Sequence, residues 1–452
     1  MPVTTPSDPL ALLRSRSYLA LLALAAIIGV PISAAAYFFL ALVSKLQAWI
    51  FTDLPKDVGF HSEPLWWPVL PLLLAGVLVS LTIRYLPGKG GHSPADGFKV
   101  GGGPPAPIEL PGVVLAAFAT LGLGVVLGPE APLIALGGGL GVLAVRLVKR
   151  DAPARTSAVV AAAGSFAAVS TLLGSPLLGA FLLMEASGLG GAMLELVLVP
   201  GLLAAGIGSL VFIGLDHLTG LGTFSLAIPG LPHVGSPTGA EFLWALAIGV
   251  MAALAGSGIR WLGLFLRPHV ERRMLLATPV VGLAVAGLAI AFAAGTGKGS
   301  SEVLFSGQAA LGPFITHSAS YTVGALLLLL VCKGLAYGAS LSGFRGGPTF
   351  PALFSGGGRR RAVAPAGAAA CVRRRHGHRR AARGDAPSPA DLGLAGHPAA
   401  VLGRPASHAA GHRGGRRGIR GLGKAHITPA PAPARPGEAA APGRFKDRAT
   451  EP

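Results

Sequence analysis

Apolar segments about as long as a lipid bilayer is thick dominate the chain up to Ala339. They are Tyr18–Val43, Trp66–Tyr85, Pro111–Leu127, Ala131–Val148, Ala158–Met184, Leu194–Leu215, Phe242–Leu266, Leu275–Ala294 and Tyr321–Ala339. A membrane-spanning helix needs about 20 predominantly apolar residues. Only 12% of the residues are charged, whereas a soluble domain has about 25% and uses them to cover its surface. The sequence therefore predicts an all-α polytopic membrane protein.

Glycine and proline interrupt this apolar pattern near residues 88–106, 128–132, 174–176 and 343–351. Each interruption leaves backbone N–H and C=O groups without helical partners, and lipid cannot form hydrogen bonds with them. Such breaks are tolerated where they line a protein-walled or water-filled site. Short, interrupted membrane segments therefore point to the binding site of a transporter.

Basic residues predict the orientation of the chain in the membrane. Arg14 and Arg16 precede the first apolar segment, and Arg84, Lys89 and Lys99 follow the second. Because cytoplasmic loops are enriched in Lys and Arg, we expect both regions to lie in the cytoplasm. The first apolar stretch is too long for a cleavable signal peptide and lacks a clean cleavage site. The expected location is a bacterial-type plasma (inner) membrane, crossed several times.

The sequence predicts neither a cofactor nor an enzyme. Cys332 lies in an apolar segment and Cys371 in a basic one, which gives neither a disulfide framework nor a metal site. The sequence contains no HExxH motif and no paired aspartates in membrane segments, so an intramembrane enzyme is not expected.

One carboxylate lies between two apolar segments, in Gly128-Pro129-Glu130-Ala131-Pro132. A charge at the centre of a membrane costs roughly 2.5–3.5 kcal/mol and is usually retained for ion or proton chemistry. Glycine and proline end one helix before the next begins, so Glu130 is predicted at a helix N-terminus, which attracts anions. A carboxylate there can occupy an anion site itself and leave it when protonated. The alternative is a capping glutamate at the lipid interface.

Three other interrupted segments are candidates for the same site. The glycines of Gly88–Pro94 let backbone N–H groups approach an anion closely, although a flexible cytoplasmic loop has the same composition. Gly343–Pro351 is a glycine-rich turn before a helix start, or an ordinary loop. Gly174–Gly179 precedes Glu185, and its alternative is a proline-kinked packing helix in which Glu185 caps or snorkels.

In this order, the four segments resemble those of the CLC family of chloride channels and proton/chloride antiporters, over about residues 15–356. CLC pores are lined by the N-termini of broken helices that carry the motifs G-S-G-I-P, G-R-E-G-P and G-x-F-x-P. The resemblance implies tilted and broken helices in two inverted-topology halves, of which the second is incomplete here. It also implies voltage gating and assembly into a homodimer. The other partners that it implies are chloride or similar small anions and membrane lipids.

The resemblance also implies roles for two glutamates. Glu130 matches the gating glutamate of G-R-E-G-P, with Pro129 in place of arginine and Ala131 in place of glycine. Glu185 matches the first glutamate of a pair and is the candidate for a proton path. The second glutamate of that pair, which passes protons in many antiporters, falls on Ala186. This departure favours uncoupled, channel-like conduction over proton-coupled antiport.

The resemblance implies anion-binding roles for residues of three motifs. They are Gly90, Gly91, Ser93, Gly128, Ala131, Gly347, Thr349 and Phe350. The serine of G-S-G-I-P has no clean counterpart, and either Gly91 or Ser93 could hold its place. In the third motif Pro348 has no N–H to donate, so Thr349 and Phe350 are the best backbone donors.

The composition changes after residue 356. Residues 358–452 contain 19 Lys and Arg against 5 Asp and Glu, and so contribute +14 of the net charge of +18. They have no tyrosine and no apolar run of about 18 residues, although the resemblance implies further membrane helices here, one with a chloride-coordinating tyrosine. The segment is a disordered basic tail that binds anionic lipid, the end of a truncated relative, or the product of a reading-frame shift in a GC-rich gene. The composition favours the frame shift.

The sequence thus divides into a cytoplasmic N-terminal segment (1–16), a CLC-like transmembrane domain (17–356) and a basic Ala/Gly/Arg/Pro-rich tail (357–452). The predicted function is chloride transport through a pore gated by Glu130. A proton-coupled antiporter and a non-conducting truncated membrane protein are the alternatives. Nucleic acid is not an expected partner, because the basic tail lacks interleaved aromatic residues.

Overall fold

The computed structural model describes residues 16–97, 103–187, 192–226, 238–316 and 321–352, all within the unit Met1–Gly384. The main helices in these ranges are α1 (Arg16–Ala48), α2 (Val69–Tyr85), α3 (Leu110–Gly122), α4 (Glu130–Val148), α5 (Ala154–Ala168), α6 (Pro176–Ser187), α7 (Ala192–Thr219), α8 (Gly239–Arg272), α9 (Met274–Thr296), α10 (Gln308–Thr316) and α11 (Val323–Gly343). Short helical turns are Trp49–Asp53, Leu54–Asp57, Pro87–Gly90, Pro94–Asp96, Pro107–Glu109 and Ser300–Glu302. Within the described ranges, β pairing is confined to an isolated bridge between Gly128 and Gly347.

Six of the described helical stretches are long and apolar enough to cross a membrane. They are Tyr18–Asp57, Glu130–Val148, Val197–Thr219, Gly239–Arg272, Met274–Thr296 and Val323–Gly343. Large apolar side chains cover their outer faces, as on α8, where Phe242 and Leu243 are each 70% exposed. Such a surface is suited to lipid, in which helices satisfy their own backbone groups. The prediction of an all-α polytopic membrane protein is confirmed.

The helices end where the sequence predicted interruptions. Between α3 and α4 the chain is non-helical until Pro129, and between α5 and α6 it is non-helical until Pro176, which begins the next helix. After α11 it is non-helical again until residue 349. Proline favours these starts because a helix leaves its first N–H groups unpaired in any case. Within the break at 88–106, residues 98–102 lie outside the described ranges, as does the predicted basic tail.

Two groups of buried apolar side chains form the core. The first joins α2, α9 and α11, and the second joins α1, α5 and α7. Helix α3 contributes to both, with Ala119 in the first group and Leu121 in the second. The segment after α11 also crosses the junction, since Phe344 belongs to the first group and Phe350 to the second. Packing on both sides therefore fixes this segment close to the start of α4.

Candidate functional site

Two of the predicted breaks meet through their backbones. The N–H of Gly128 donates to the carbonyl of Gly347 at 2.7 Å, and the N–H of Gly347 donates back at 2.6 Å. A Cβ atom on either glycine would overlap the carboxylate of Glu130, so both positions need the close approach that only glycine allows. The start of α4 and the helical segment that begins at residue 349 are thereby held together.

Glu130 is the first residue of α4, and its side chain is completely buried. Its Oε1 accepts hydrogen bonds from the backbone N–H groups of Thr349 and, at 3.3 Å, of Phe350. These N–H groups belong to a first helical turn, which has no partners of its own for them. Its Oε2 is buried and has no hydrogen-bond partner among the described residues. The carboxylate thus lies where a helix N-terminus would attract an anion.

Tyr337 holds the turn that precedes these N–H groups. Its hydroxyl, on α11, donates to the carbonyl of Pro348 at 2.6 Å, and the side chain is 6% exposed. The sequence analysis did not identify this residue. The sequence does mark Tyr337 as a lone polar aromatic residue near the end of an apolar helix. Because buried tyrosines usually find a partner for the hydroxyl, this position could have been singled out.

Replacing Tyr337 with phenylalanine is expected to destabilise the protein by about 1–2 kcal/mol, because the partly buried Pro348 carbonyl then loses the hydrogen bond from the tyrosine hydroxyl. The free energy of unfolding in detergent micelles measures this loss. Tyr85, at the end of α2, is 72% exposed, and Tyr85→Phe is the matched control. Equal stabilities of the two variants would show that the Tyr337 hydroxyl does not stabilise the turn.

A cavity of about 280 Å³ lies beside the first turns of α4. We call it the first cavity, and it is lined by Gly90, Gly91, Ser93, Ala131 and Arg345, among others. The structure therefore brings Gly90, Gly91 and Ser93 together with the start of α4, whereas the described hydrogen bonds of the Glu130 carboxylate are to Thr349 and Phe350. The Ser93 hydroxyl is buried and has no hydrogen-bond partner among the described residues.

A second cavity, of about 540 Å³, is lined by residues that precede Glu130 in the chain. Leu127 and Pro129, just before Glu130, line this second cavity, whereas Ala131, just after it, lines the first. Glu63 and Glu302 also line the second cavity. Burial raises the pKa of Glu63 above its ordinary value, and a hydrogen bond from Ser300 opposes this rise. The residues just before and just after Glu130 thus line two different cavities, one that contains a guanidinium group and one that contains carboxyl groups.

Lys333 is a second buried charge that the sequence analysis missed. It lies on α11, is 1% exposed, and donates from Nζ to the carbonyls of Glu302, Val303 and Leu304, each at 3.0 Å. A fourth carbonyl, of Phe305, lies at 3.5 Å. These carbonyls belong to a wall of the second cavity, so the ammonium group holds that wall in place. Lys333 could have been found as a single lysine in an otherwise apolar segment, because charges in membrane segments are rare and usually have a role.

Glu185 lies on α6, but its side chain falls outside the described part of the chain. The same holds for Ala186. The predicted proton path through Glu185 therefore stays a prediction.

A helical membrane fold with a buried charge at a helix break is typical of ion transporters. Residues 88–403 match the family described as Voltage gated chloride channel, and the chain belongs to this CLC family. It is 30% identical over 349 residues to YfeO of Escherichia coli O1:K1, a protein assigned to ion transport, and the match covers 76% of this chain and 78% of YfeO. YfeO of Escherichia fergusonii matches to the same extent.

Two solved structures have a similar fold. One is the crystal structure of a slow cyanobacterial Cl⁻/H⁺ antiporter, with a TM-score of 0.57 and 18% identity over 76% of this chain and 79% of that one. The other is a CLC-type fluoride/proton antiporter, with a TM-score of 0.54 and 21% identity over 74% of this chain and 78% of that one. The predicted family is confirmed, and with it anion transport by an integral, multi-pass membrane protein. The family match extends beyond residue 356, so the domain boundary predicted there stays a prediction.

Proposed function

We propose that the protein conducts chloride or a similar small anion and that Glu130 is its gate. The observation that carries the proposal is the burial of the Glu130 carboxylate against the N–H groups of Thr349 and Phe350. When the carboxylate is charged it occupies the position of an anion and blocks the path. When it is protonated or swings out, an anion takes its place.

The hydrogen bonding of Glu130 supports this exchange. The N–H groups of Thr349 and Phe350 are fixed in a first helical turn, and Glu130 itself begins α4, whose dipole favours negative charge at this end. A chloride ion needs such hydrogen-bond donors, and it binds them more favourably because they are already oriented. Protonation removes the charge from the carboxyl group and so weakens its charge-assisted bonds to them. The unpartnered Oε2 offers a place for that proton.

The two cavities supply the approaches to Glu130. By the predicted orientation, the loop after α2 is cytoplasmic, so the first cavity opens to the cytoplasm and the second to the opposite side. Gly90, Gly91 and Ser93 then line the cytoplasmic approach. In this proposal the protein forms a homodimer with one pathway per subunit in a bacterial inner membrane.

Uncoupled conduction and proton-coupled antiport remain two candidate modes. Ala186 stands where many antiporters have a proton-passing glutamate, which favours uncoupled conduction. The described fold is similar to those of two proteins named as proton antiporters, which favours the second mode.

We expect the reversal potential of the reconstituted full chain to follow the chloride gradient alone. Liposomes with a fixed chloride gradient are measured with and without an opposing pH gradient. Uncoupled conduction predicts the same reversal potential in both, whereas a shift under the pH gradient would establish coupling and contradict the channel-like mode. The chloride gradient without protein is the control for leak.

The non-conducting alternative has its own test. Absence of chloride flux, together with binding of anionic vesicles by the segment 358–452, would favour it over the proposed conduction.

The coding DNA tests the frame-shift hypothesis, which requires a shifted frame that encodes apolar spans across residues 357–424. Without such spans the hypothesis is wrong.

A further inference from the structure

The first cavity contains a buried cation that the family motifs do not assign. Arg345 is 9% exposed and lines the cavity, and its Nε donates to the carbonyl of Lys89 at 3.3 Å. Its Nη1 donates to the carbonyl of Phe344 at 3.2 Å. A guanidinium group has five N–H groups in a planar fork, and these two bonds use two of them. The others remain for a further acceptor.

Arg345 also forms no ion pair with a carboxylate within the described ranges. Asp96 and Glu271 attract it at longer range, but the ion pairs of both are with Arg267. Among the described residues that line the first cavity, none is acidic. A buried charge is costly unless it is paired. The cavity therefore offers a mobile anion the place of the missing counter-charge.

The walls around Arg345 fit such an anion. Ser93 is 8% exposed and its hydroxyl has no partner among the described residues, so it can donate to an anion in the cavity. Gly90 has a left-handed φ of 70°, and a Cβ there would lie 3.3 Å from Cγ of Arg345 and 2.9 Å from Cβ of Ala116. Glycine thus leaves room for the arginine stem. Val113 and Ile134 make part of the wall apolar, which strengthens electrostatic attraction.

We propose that Arg345 is a specificity-determining residue, and that with Ser93 it forms an anion site in the first cavity that prefers a small oxyanion such as nitrate to chloride. The planar fork of a guanidinium group can donate two parallel hydrogen bonds to two oxygens of an oxyanion, whereas a halide ion accepts all its hydrogen bonds at one atom. This inference rests on the proposed anion transport, since the site would select the anions that reach Glu130. It is separate from the Glu130 carboxylate, which is bound by Thr349 and Phe350.

Titration calorimetry with the purified full chain tests the site, with sodium nitrate and sodium chloride as the probes. Arg345→Gln is expected to weaken nitrate binding roughly tenfold or more, equivalent to about 1.4 kcal/mol. Arg345→Lys keeps the charge but loses the fork, so it is expected to lower the preference for nitrate over chloride while chloride affinity changes little. Arg272→Gln is the matched control, because Arg272 is exposed at the end of α8 and its loss changes the net charge equally.

Nitrate affinities of both Arg345 variants equal to that of Arg272→Gln would overturn the inference, as would a wild-type protein that binds neither anion. If Arg345→Gln does not fold, Arg345→Lys decides alone, and an unchanged nitrate preference overturns the inference. Chloride flux measured in parallel separates the two proposals. Glu130-dependent flux, together with nitrate binding that does not depend on Arg345, sinks this inference only. Arg345-dependent binding without Glu130-dependent flux sinks the gating proposal only.

Discussion

Replacing Glu130 with glutamine is expected to raise chloride flux at neutral pH and to abolish the dependence of that flux on pH. Glutamine keeps the size of the side chain but cannot carry the charge that holds it against the N–H groups of Thr349 and Phe350. A hydrogen bond to a charged group contributes about 1.5–3 kcal/mol, and a neutral one about 1 kcal/mol. The exchange of side chain for anion should therefore become roughly tenfold easier or more. Chloride efflux from liposomes over a range of pH measures both effects.

Glu241 provides the matched control for this variant. Its carboxylate also accepts a backbone N–H at a helix N-terminus, from Thr238 at 2.7 Å, but it is exposed at the start of α8. Glu241→Gln should leave both the rate and the pH dependence of efflux unchanged. A Glu130→Gln protein that keeps the wild-type pH dependence would remove Glu130 from the gate.

Replacing Lys333 with methionine is expected to destabilise the protein by at least about 3 kcal/mol, because several buried carbonyls lose their donor at once. Methionine has a similar length, so the change removes the charge with little change in packing. Part of the loss is offset because the ammonium group no longer has to be buried. The free energy of unfolding in detergent micelles is the appropriate measurement.

Lys149→Met is the control for Lys333→Met. Lys149 is exposed just after α4, where its backbone N–H donates to Val145 and its carbonyl accepts from Ala152. A change of its side chain keeps both bonds, so the variant should stay within about 0.5 kcal/mol of wild type. If Lys333→Met is as stable as Lys149→Met, then the bonds from Nζ to residues 302–305 do not stabilise the wall of the second cavity.

The sequence could predict those parts of the site that depend on local backbone chemistry. Glycine and proline determine where helices stop and start, so the breaks around Glu130 and before Thr349 followed from residue types alone. The choice of Thr349 and Phe350 as donors followed from the missing N–H of Pro348. The structure places both N–H groups on the Glu130 carboxylate.

The parts that depend on distant contacts could not be predicted. Lys333 binds carbonyls about thirty positions earlier, and Arg345 reaches Lys89 across 256 positions. An apolar pattern gives helix positions but not which helices pack together, so the partners of a lone cation stay hidden. The same limit applies to the bridge between Gly128 and Gly347, which brings the two breaks together.

The gating role of Glu130 is tested most directly by anomalous diffraction from bromide-soaked crystals of the full chain, wild type and Glu130→Gln, at a pH where the wild-type carboxylate is charged. We predict a bromide peak at the N–H groups of Thr349 and Phe350 in Glu130→Gln and none there in the wild type, where the carboxylate occupies the position. Bromide at this position beside an unmoved wild-type Glu130, or its absence from Glu130→Gln, would contradict the proposed gate.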